Sequence, residues 1–440
     1  MKIQLITLLL FISTALSAQS LPSAAGSGNS TDLTGGFGLT YIDGKPYYLI
    51  TAQPELSLGN WGVGLDLNLR FGTDGSVRSE DWDEGYDFIR LFRYVRYAQK
   101  RSPLYFRIGS LDQARIGRGL LMYRYNNSAS YDNRKVGLEF DMRFESWGFE
   151  SVASNVLGLE IYGVRGYYNP LKATGIPLFQ DLEVGASYIT DFNKEGRKLN
   201  GKNGVIYTND FEESNPVTAV SVDLGLPIFD NEFIDFSIYS EFGKFLGYGS
   251  GGSLGLETNL KGLSSLFSLS ARFEHRINGD QFLPNYFGPF YEIERVTQLN
   301  DTTLTTKLQM LDGVKSPGNG LYGELSASIL GTVKIIGNYE ELYNLPGSGV
   351  LHLGTDFGDI IPSAVIKVDY YKRNISAGSA LFSLDEKSLA TAEVGYKPYS
   401  FMSVSLYYQW TFQPIKDGDD VVGYETVSRV EPKVSFHYSF

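Results

Sequence analysis

The sequence predicts an all-β fold: a transmembrane, antiparallel, up-and-down β-barrel of about 20 strands (range roughly 16–20), with short turns at one end and long loops at the other. Three observations carry this. Apolar and polar residues alternate with period two in segment after segment, each about ten residues long, the length that crosses a bilayer at a strand's tilt. The composition, with 30 Tyr, 28 Phe and 49 Gly, suits strands and tight turns better than helices. The connections between the alternating segments are short and long by turns.

The elements follow in chain order. "MKIQLITLLLFISTALSAQS" combines Lys2, an apolar run from Ile3 to Ile12, and the small residues "ALSA" before Gln19. Residues 1–18 are therefore read as a secretory signal peptide, the apolar run being too short for a membrane helix. Residues 19–33, "QSLPSAAGSGNSTDL", are small and polar and read as a flexible periplasmic N-terminal segment, with the barrel expected over 34–440. In "WGVGLDLNLRF", Trp61, Val63, Leu65, Leu67, Leu69 and Phe71 form one face. Gly62, Gly64, Asp66, Asn68 and Arg70 form the other. "KVGLEFDMRF" (135–144), "SLFSLSARFEHR" (265–276) and "SVSLYYQWTF" (403–412) repeat the pattern. Taken along the chain, the alternation marks strands near 34–43, 47–58, 61–72, 86–98, 103–110, 135–145, 147–155, 158–168, 180–191 and 216–226. Ten more fall near 232–243, 250–260, 264–276, 319–330, 332–341, 349–357, 361–372, 388–397, 402–412 and 430–440. The long connections 73–85, 111–134, 192–215, 277–318, 373–387 and 413–429 all follow odd-numbered strands. The turns after even-numbered strands are short, with 169–179 the exception. That parity places both termini at the short-turn end.

Several function classes are excluded at this stage. There is no Cys, so disulfides, thiol chemistry, Cys-ligated metals and a lipid-anchored N-terminus are ruled out. Three dispersed histidines, His275, His352 and His437, do not make a metal centre, and no cofactor is expected. A formal charge of −12, or −13 once Lys2 leaves with the signal peptide, argues against a nucleic-acid partner. After the leader no run of 18 apolar residues occurs, which rules out helical spans. A mean hydropathy of −0.14 fits a barrel with a wet or polar interior.

The chain ends "VEPKVSFHYSF", with Val434, Phe436, Tyr438 and Phe440 alternating with Lys433, Ser435, His437 and Ser439. Together with the signal peptide, this ending resembles Gram-negative outer-membrane β-barrel proteins of the porin-like, single-domain kind. Gln19 directly after the leader is similar to many Bacteroidota exports. The resemblance implies an outer-membrane location, contact with outer-membrane lipid and lipopolysaccharide, and passive diffusion of small solutes. It also implies that Phe436, Tyr438 and Phe440 form the signal read by the barrel-assembly machinery. The alternative is a plugged barrel that serves as a surface-binding or assembly component, with loops 192–215 and 277–318 engaging a partner.

Twelve of nineteen arginines fall between Arg70 and Arg143. Arg70, Arg107 and Arg143 lie on polar strand faces. They read either as an anion-attracting stripe in a pore or as braces paired with Asp66, Glu139 and Asp141. Arg90, Arg93 and Arg96 cannot share one strand face, so either one of them snorkels or the segment is irregular. The stretch "DQARIGRGLLMYRYNNSASYDNR" (112–134) lacks clean alternation. It reads either as a loop folded into the lumen, bringing Arg115, Arg118 and Arg124 to a constriction, or as an ordinary outer loop or a further strand. Its "GRG" lacks the spacing of a phosphate loop. The acidic "DGSVRSEDWDEGYD" (74–87) could hold Ca²⁺ or be a solvated loop, and the latter is expected. The aromatic "FLPNYFGPFYEIERV" (282–296) could dock a ligand or pack on itself. "HRING" (275–279) resembles the His-x-Ser-Asn-Gly run of outer-membrane phospholipases, but Ile277 stands where the serine would be, so no catalytic residue is expected.

Overall fold

The computed structural model describes residues 31–42, 45–83, 85–89, 91–100, 102–129, 135–158, 160–192, 216–263, 266–300, 303–358, 360–376, 381–417 and 420–439. The signal peptide, nearly all of the expected N-terminal segment and Phe440 lie outside these residues.

Twenty strands form one closed antiparallel sheet. They are β1 Asp32–Ile42, β2 Lys45–Leu58, β3 Trp61–Phe71, β4 Phe92–Tyr97, β5 Leu104–Gly109, β6 Gly137–Arg143 and β7 Trp147–Ala153. Then come β8 Ile161–Tyr168, β9 Glu183–Asp191, β10 Val217–Asp230, β11 Ile234–Phe245, β12 Ser250–Leu263, β13 Phe267–Asn278 and β14 Gly318–Ile329. The last six are β15 Val333–Leu342, β16 Gly349–Asp356, β17 Ala364–Ile375, β18 Ser388–Tyr399, β19 Met402–Asp417 and β20 Asp420–Ser439. The ladder of β3 is broken at Asp66, but both halves pair with β2, Gly64 opposite Glu55 and Asn68 opposite Thr51. The circle closes where β1 pairs with β20, from Asp32 opposite Ser439 to Gly38 opposite Lys433. Closure leaves no open edge within the wall, the condition for β structure in lipid.

The side-chain pattern is that of an ordinary protein turned inside out. On the outer face Val164, Tyr188, Val222, Phe242, Leu254 and Phe273 are 40–64% exposed. Their neighbours one position away, Arg165, Ser187, Asp223, Glu241, Ser253 and Arg272, are buried. Large apolar groups face out and charge faces in, which is stable when hydrocarbon lies outside. Among the described residues no helix is long and apolar enough to cross a membrane.

Two expectations are corrected. The expected strand 86–98 starts at Phe92, after a short helix Gly85–Ile89. A bulge between Phe92 and Tyr94 then turns Arg93 inward beside Tyr94, and its Nη2 bonds Glu55 at 2.8 Å. This bulge is the irregularity that the crowding of Arg93 and Arg96 requires; Arg90 lies outside the described residues. The expected loop 413–429 is instead a ribbon: the β19–β20 ladder runs on to Asp417 opposite Asp420. Beyond its neighbours the ribbon has no buried face, so nothing forces its residues to alternate, and period-two reading misses it. The remaining long connections gather at one end of the barrel, and the turns at the other end are short apart from 169–182.

At the seam, Gly36 of β1 lies against β20, and a Cβ there would run into the Val434 carbonyl oxygen. Phe37 and Phe436 meet edge to face on the outer side at 6.0 Å. The substitution Gly36→Val should therefore cost about 1–3 kcal/mol through overpacking at the closing seam. The expected outcome is a smaller fraction of compact, heat-modifiable barrel on unboiled gels, while Gly166→Ala, on the outer face of β8 with nothing near its Cβ position, should leave that fraction nearly intact.

Candidate functional site in the barrel lumen

Two of the long loops fold into the barrel. Residues 110–129 carry a small hairpin, Ala114–Ile116 with Met122–Tyr125. Leu111, Ile116, Leu120, Leu121, Met122 and Tyr125 are all buried. From the other loop, 279–317, come Phe282, Tyr286, Phe287, Tyr291, Leu308 and Leu311. With Val152, Ile161, Ile189, Val217 and Phe245 from the strand ends, these side chains form one apolar cluster. Tyr286 meets Phe245 edge to face at 4.9 Å. The two loops are joined through the backbone: Asn285 N–H donates to the Leu120 carbonyl at 2.6 Å and Phe287 N–H to that of Leu121 at 3.1 Å. Asn127 ties the first loop to the wall, accepting from Leu111 N–H at 2.8 Å and reaching the Ser154 carbonyl at 3.0 Å. The two loops and the apolar strand ends supply partners to one another; each fully buried Leu or Phe contributes about 1.5–3 kcal/mol.

Beneath this cluster lies a layer of charge. Gly117 and Gly119 take φ of 63° and 94°, values that L side chains avoid, and the reversal aims Arg118 at the wall. Arg165 grips Asp223 with two nitrogens, at 2.8 and 2.7 Å, and also meets Glu183 at 2.6 Å and Glu150 at 3.1 Å. Arg118 shares two of these carboxylates, Glu183 at 2.7 Å and Asp223 at 3.3 Å. Gly185 and Gly225 make room, since a Cβ at either position would collide with the guanidinium of Arg165 or of Arg118. Glu241 accepts the Leu120 N–H at 2.9 Å and the Ser221 hydroxyl at 2.6 Å. Arg272 donates to the Arg118 carbonyl and lies over the ring of Tyr123 at 4.1 Å. Wall carboxylates thus hold backbone as well as guanidinium groups, which locks the hairpin in place.

The residues singled out from the sequence fall as follows. Arg70 pairs with Asp81 at 3.1 Å, whereas Asp66 accepts from Gln53 at 2.9 Å and Asn68 at 2.7 Å. Arg107 pairs with Asp112 at 2.6 Å. Glu139 takes Lys100 at 2.7 Å and the Tyr105 hydroxyl at 3.1 Å. Arg115 meets Glu257 at 3.4 Å and Arg124 meets Glu324 at 3.6 Å. Asp141 is buried on the inner wall, and Arg143, two residues on, is exposed and forms no ion pair among the described residues. The pairing of Arg70, Arg107 and Arg143 with Asp66, Glu139 and Asp141 is therefore not the one formed. For Arg70 and Arg107, loop residues reach back to supply the carboxylates.

In the acidic loop, Asp81 is held by Arg70 and Arg78, and Asp74 accepts from Ser76. The aromatic stretch 282–296 turns inward with Phe282, Tyr286, Phe287 and Tyr291 buried. Phe436 and Tyr438 face outward, and Tyr438 stacks on Phe401 at 4.8 Å. Sequence reasoning passed over Arg165, Glu183, Asp223, Glu241, Arg272 and Glu274. Their signal was present, as charges at inward positions of otherwise apolar strands, but the distance between β8 and β13 along the chain hid their convergence.

The lumen is asymmetric. A polar cavity of about 780 Å³ lies below the hairpin and is lined by Lys100, Arg143, Tyr167, Asp181, Asp230 and Lys261, all towards the short-turn end. On the arc from β14 through β20 to β3, Lys367 and Lys433 point inward and stay 37% and 43% exposed, while Tyr322, Thr391, Glu393, Ser405, Asp66 and Arg70 are buried. His352 lies there, stacked on Tyr371 at 3.9 Å and bonded to Asp369 at 3.1 Å. Arg124 stands at the border between the filled and wet sides with a strained φ of 55°.

No protein-family model matches the chain, and no curated protein matches it by sequence. Among solved structures it is similar to the outer membrane protein opdK of Pseudomonas aeruginosa, at 10% identity and a TM-score of 0.33, over 93% of this chain and 99% of that one. It is also similar to the siderophore receptor PirA of Acinetobacter baumannii, at 10% identity and a TM-score of 0.42, over 93% and 80%. A third is Wzi of Escherichia coli, described as a carbohydrate-binding β-barrel involved in group 1 capsule assembly, at 13% identity and a TM-score of 0.36, over 94% and 85%. These are distant likenesses of architecture.

Removing one partner of a buried charge network strands the others. Asp223→Asn should lower unfolding stability by about 3 kcal/mol, read as a lower urea midpoint in detergent. Glu145→Gln, at an exposed position on the cavity rim, should leave the midpoint unchanged.

Proposed function

We propose that this chain is an outer-membrane, porin-like channel that lets small polar solutes diffuse along the wet side of its lumen. In this reading the short turns face the periplasm and the long loops face outward. The observation that carries it is the division of the lumen: two loops fill one side, while on the opposite arc the inward Lys367 and Lys433 remain open to water. Filling one side narrows a barrel that would otherwise leave a wide hole. Solutes then pass along the wall of His352 and Tyr371, beside the contact that joins Tyr123 and Arg124 to Glu324, and leave through the polar cavity.

Selectivity is expected to be weak. Most candidate arginines have a carboxylate partner, so their fields largely cancel. An anion preference, if the channel has one, rests on Arg143. We read the barrel as non-enzymatic: His275 points to the outer face, with Ile277 rather than a nucleophile beside it. Phe436 and Tyr438, together with Phe440, are assigned to recognition by the assembly machinery, and deletion of Phe440 should reduce the amount of protein reaching the outer membrane.

Reconstitution into a planar bilayer tests the reading. Small stepwise conductance is expected, and a silent barrel would sink it in favour of a plugged, surface-binding role. That second role draws support from the firmly anchored loop 110–129. Arg143→Glu should shift the reversal potential in a salt gradient towards cations, with roughly a twofold change in permeability ratio. No shift would detach selectivity from this residue.

A further inference from the structure

Between β17 and β18 the chain turns outward. Residues 381–387 fold over the outside of the barrel. Inward and outward positions on β17 are unambiguous: Tyr371 and Asp369 face the lumen with His352, while Val368, 42% exposed, faces out. Tyr370 and Lys372 share the outward face with Val368. The Tyr370 hydroxyl donates to the Leu381 carbonyl at 3.0 Å, and its ring stacks on Phe382 at 6.0 Å. Lys372 is 1% exposed; its ammonium donates to the Ser383 carbonyl at 2.9 Å and pairs with Asp385. Phe382 and Leu384, by contrast, are 66% and 51% exposed.

Tyr370 belongs to a lateral row on the outer wall. Leu353 and Ala390 flank it, and Trp410 follows on β19, stacked with Tyr408 at 5.7 Å. Aromatic rows of this kind sit where hydrocarbon meets headgroups. Phe382 lies outside Tyr370, and so further from the barrel axis at that level. An ammonium on a water-facing wall needs no cover, whereas one facing lipid is costly unless it is paired. The loop supplies the pair and turns its own apolar side chains outward.

We propose that residues 381–387 form a lipid-contacting buttress, with Phe382 and Leu384 seated in the outer interface of the bilayer and Asp385 neutralising Lys372 beneath them. The proposal rests on the membrane-barrel reading given above.

The native chain has no cysteine, so single-cysteine variants of the full mature protein carry one spin label each. In phosphatidylethanolamine–phosphatidylglycerol vesicles, labels at Phe382→Cys and Leu384→Cys should collide with oxygen more than with a water-soluble nickel chelate, as should Val368→Cys. Glu145→Cys should show the reverse. A water-like result at 382 and 384 with a lipid-like one at 368 overturns the buttress alone. A water-like result at 368 as well overturns the membrane reading. Low collision with both reagents at 382 and 384 signals contact with a second copy, and overturns lipid contact. Independently, Asp385→Asn should lower the temperature of heat-modifiable unfolding, and adding Lys372→Met should restore it; no loss with Asp385→Asn alone would remove the neutralising role.

Discussion

Everything in this structure follows from the pairing of backbone hydrogen bonds around a closed sheet. In hydrocarbon an unpaired N–H or C=O costs several kcal/mol, so a sheet with edges is not an option. The seven-residue ladder between β1 and β20 is therefore the constraint on which the rest depends. Gly36 shows how tight that seam is. Its closeness to the Val434 carbonyl leaves no room for a side chain at the point where the first strand meets the last.

Closure creates a second problem. Twenty strands enclose more space than their inward side chains fill. The chain answers with its own long loops, and the chemistry of the answer is layered. Apolar side chains from 110–129 and 279–317 need one another because the wall beneath them is charged. The hairpin tip, which must touch that wall, presents Arg118 and bare backbone amides, and the wall meets these with Glu183, Asp223, Glu150 and Glu241. The carboxylates outnumber the guanidinium groups here because some of them serve N–H donors of the turn.

Much of the fold was legible because lipid on one side and charge on the other enforce strict alternation. Each expected strand overlaps an observed one, with β4 starting late and β20 starting early, and the separation of Trp61–Phe71 into two faces matches the structure residue by residue. Legibility fails wherever that enforcement lapses. The β19–β20 ribbon beyond its neighbours carries no alternation, and the bulge at Arg93 breaks the parity of β4. At the candidate site, the inward placement of Arg115, Arg118 and Arg124 could be posed from composition, but their partners could not. Glu257, Glu183 and Glu324 lie 65 to 200 positions away along the chain, and only closure brings them near.

The same logic bears on how a solute would move. A hairpin pinned by the Asn127 amide, by Glu241 and by the contacts of Arg118 with Glu183 and Asp223 is poorly suited to swing as a gate, since each opening would strand several buried charges and amides at once. In the proposed channel, a fixed plug on one side and an open wall on the other would give a passage of constant width. Selection in such a passage falls to the few groups that face water without a committed partner. Arg143 belongs to this class, whereas Arg165 does not, although both are inward arginines with a single strand between them. The arginine content of the wall is thus a poor guide to its field, and the ion-pair state of each residue is the quantity that decides.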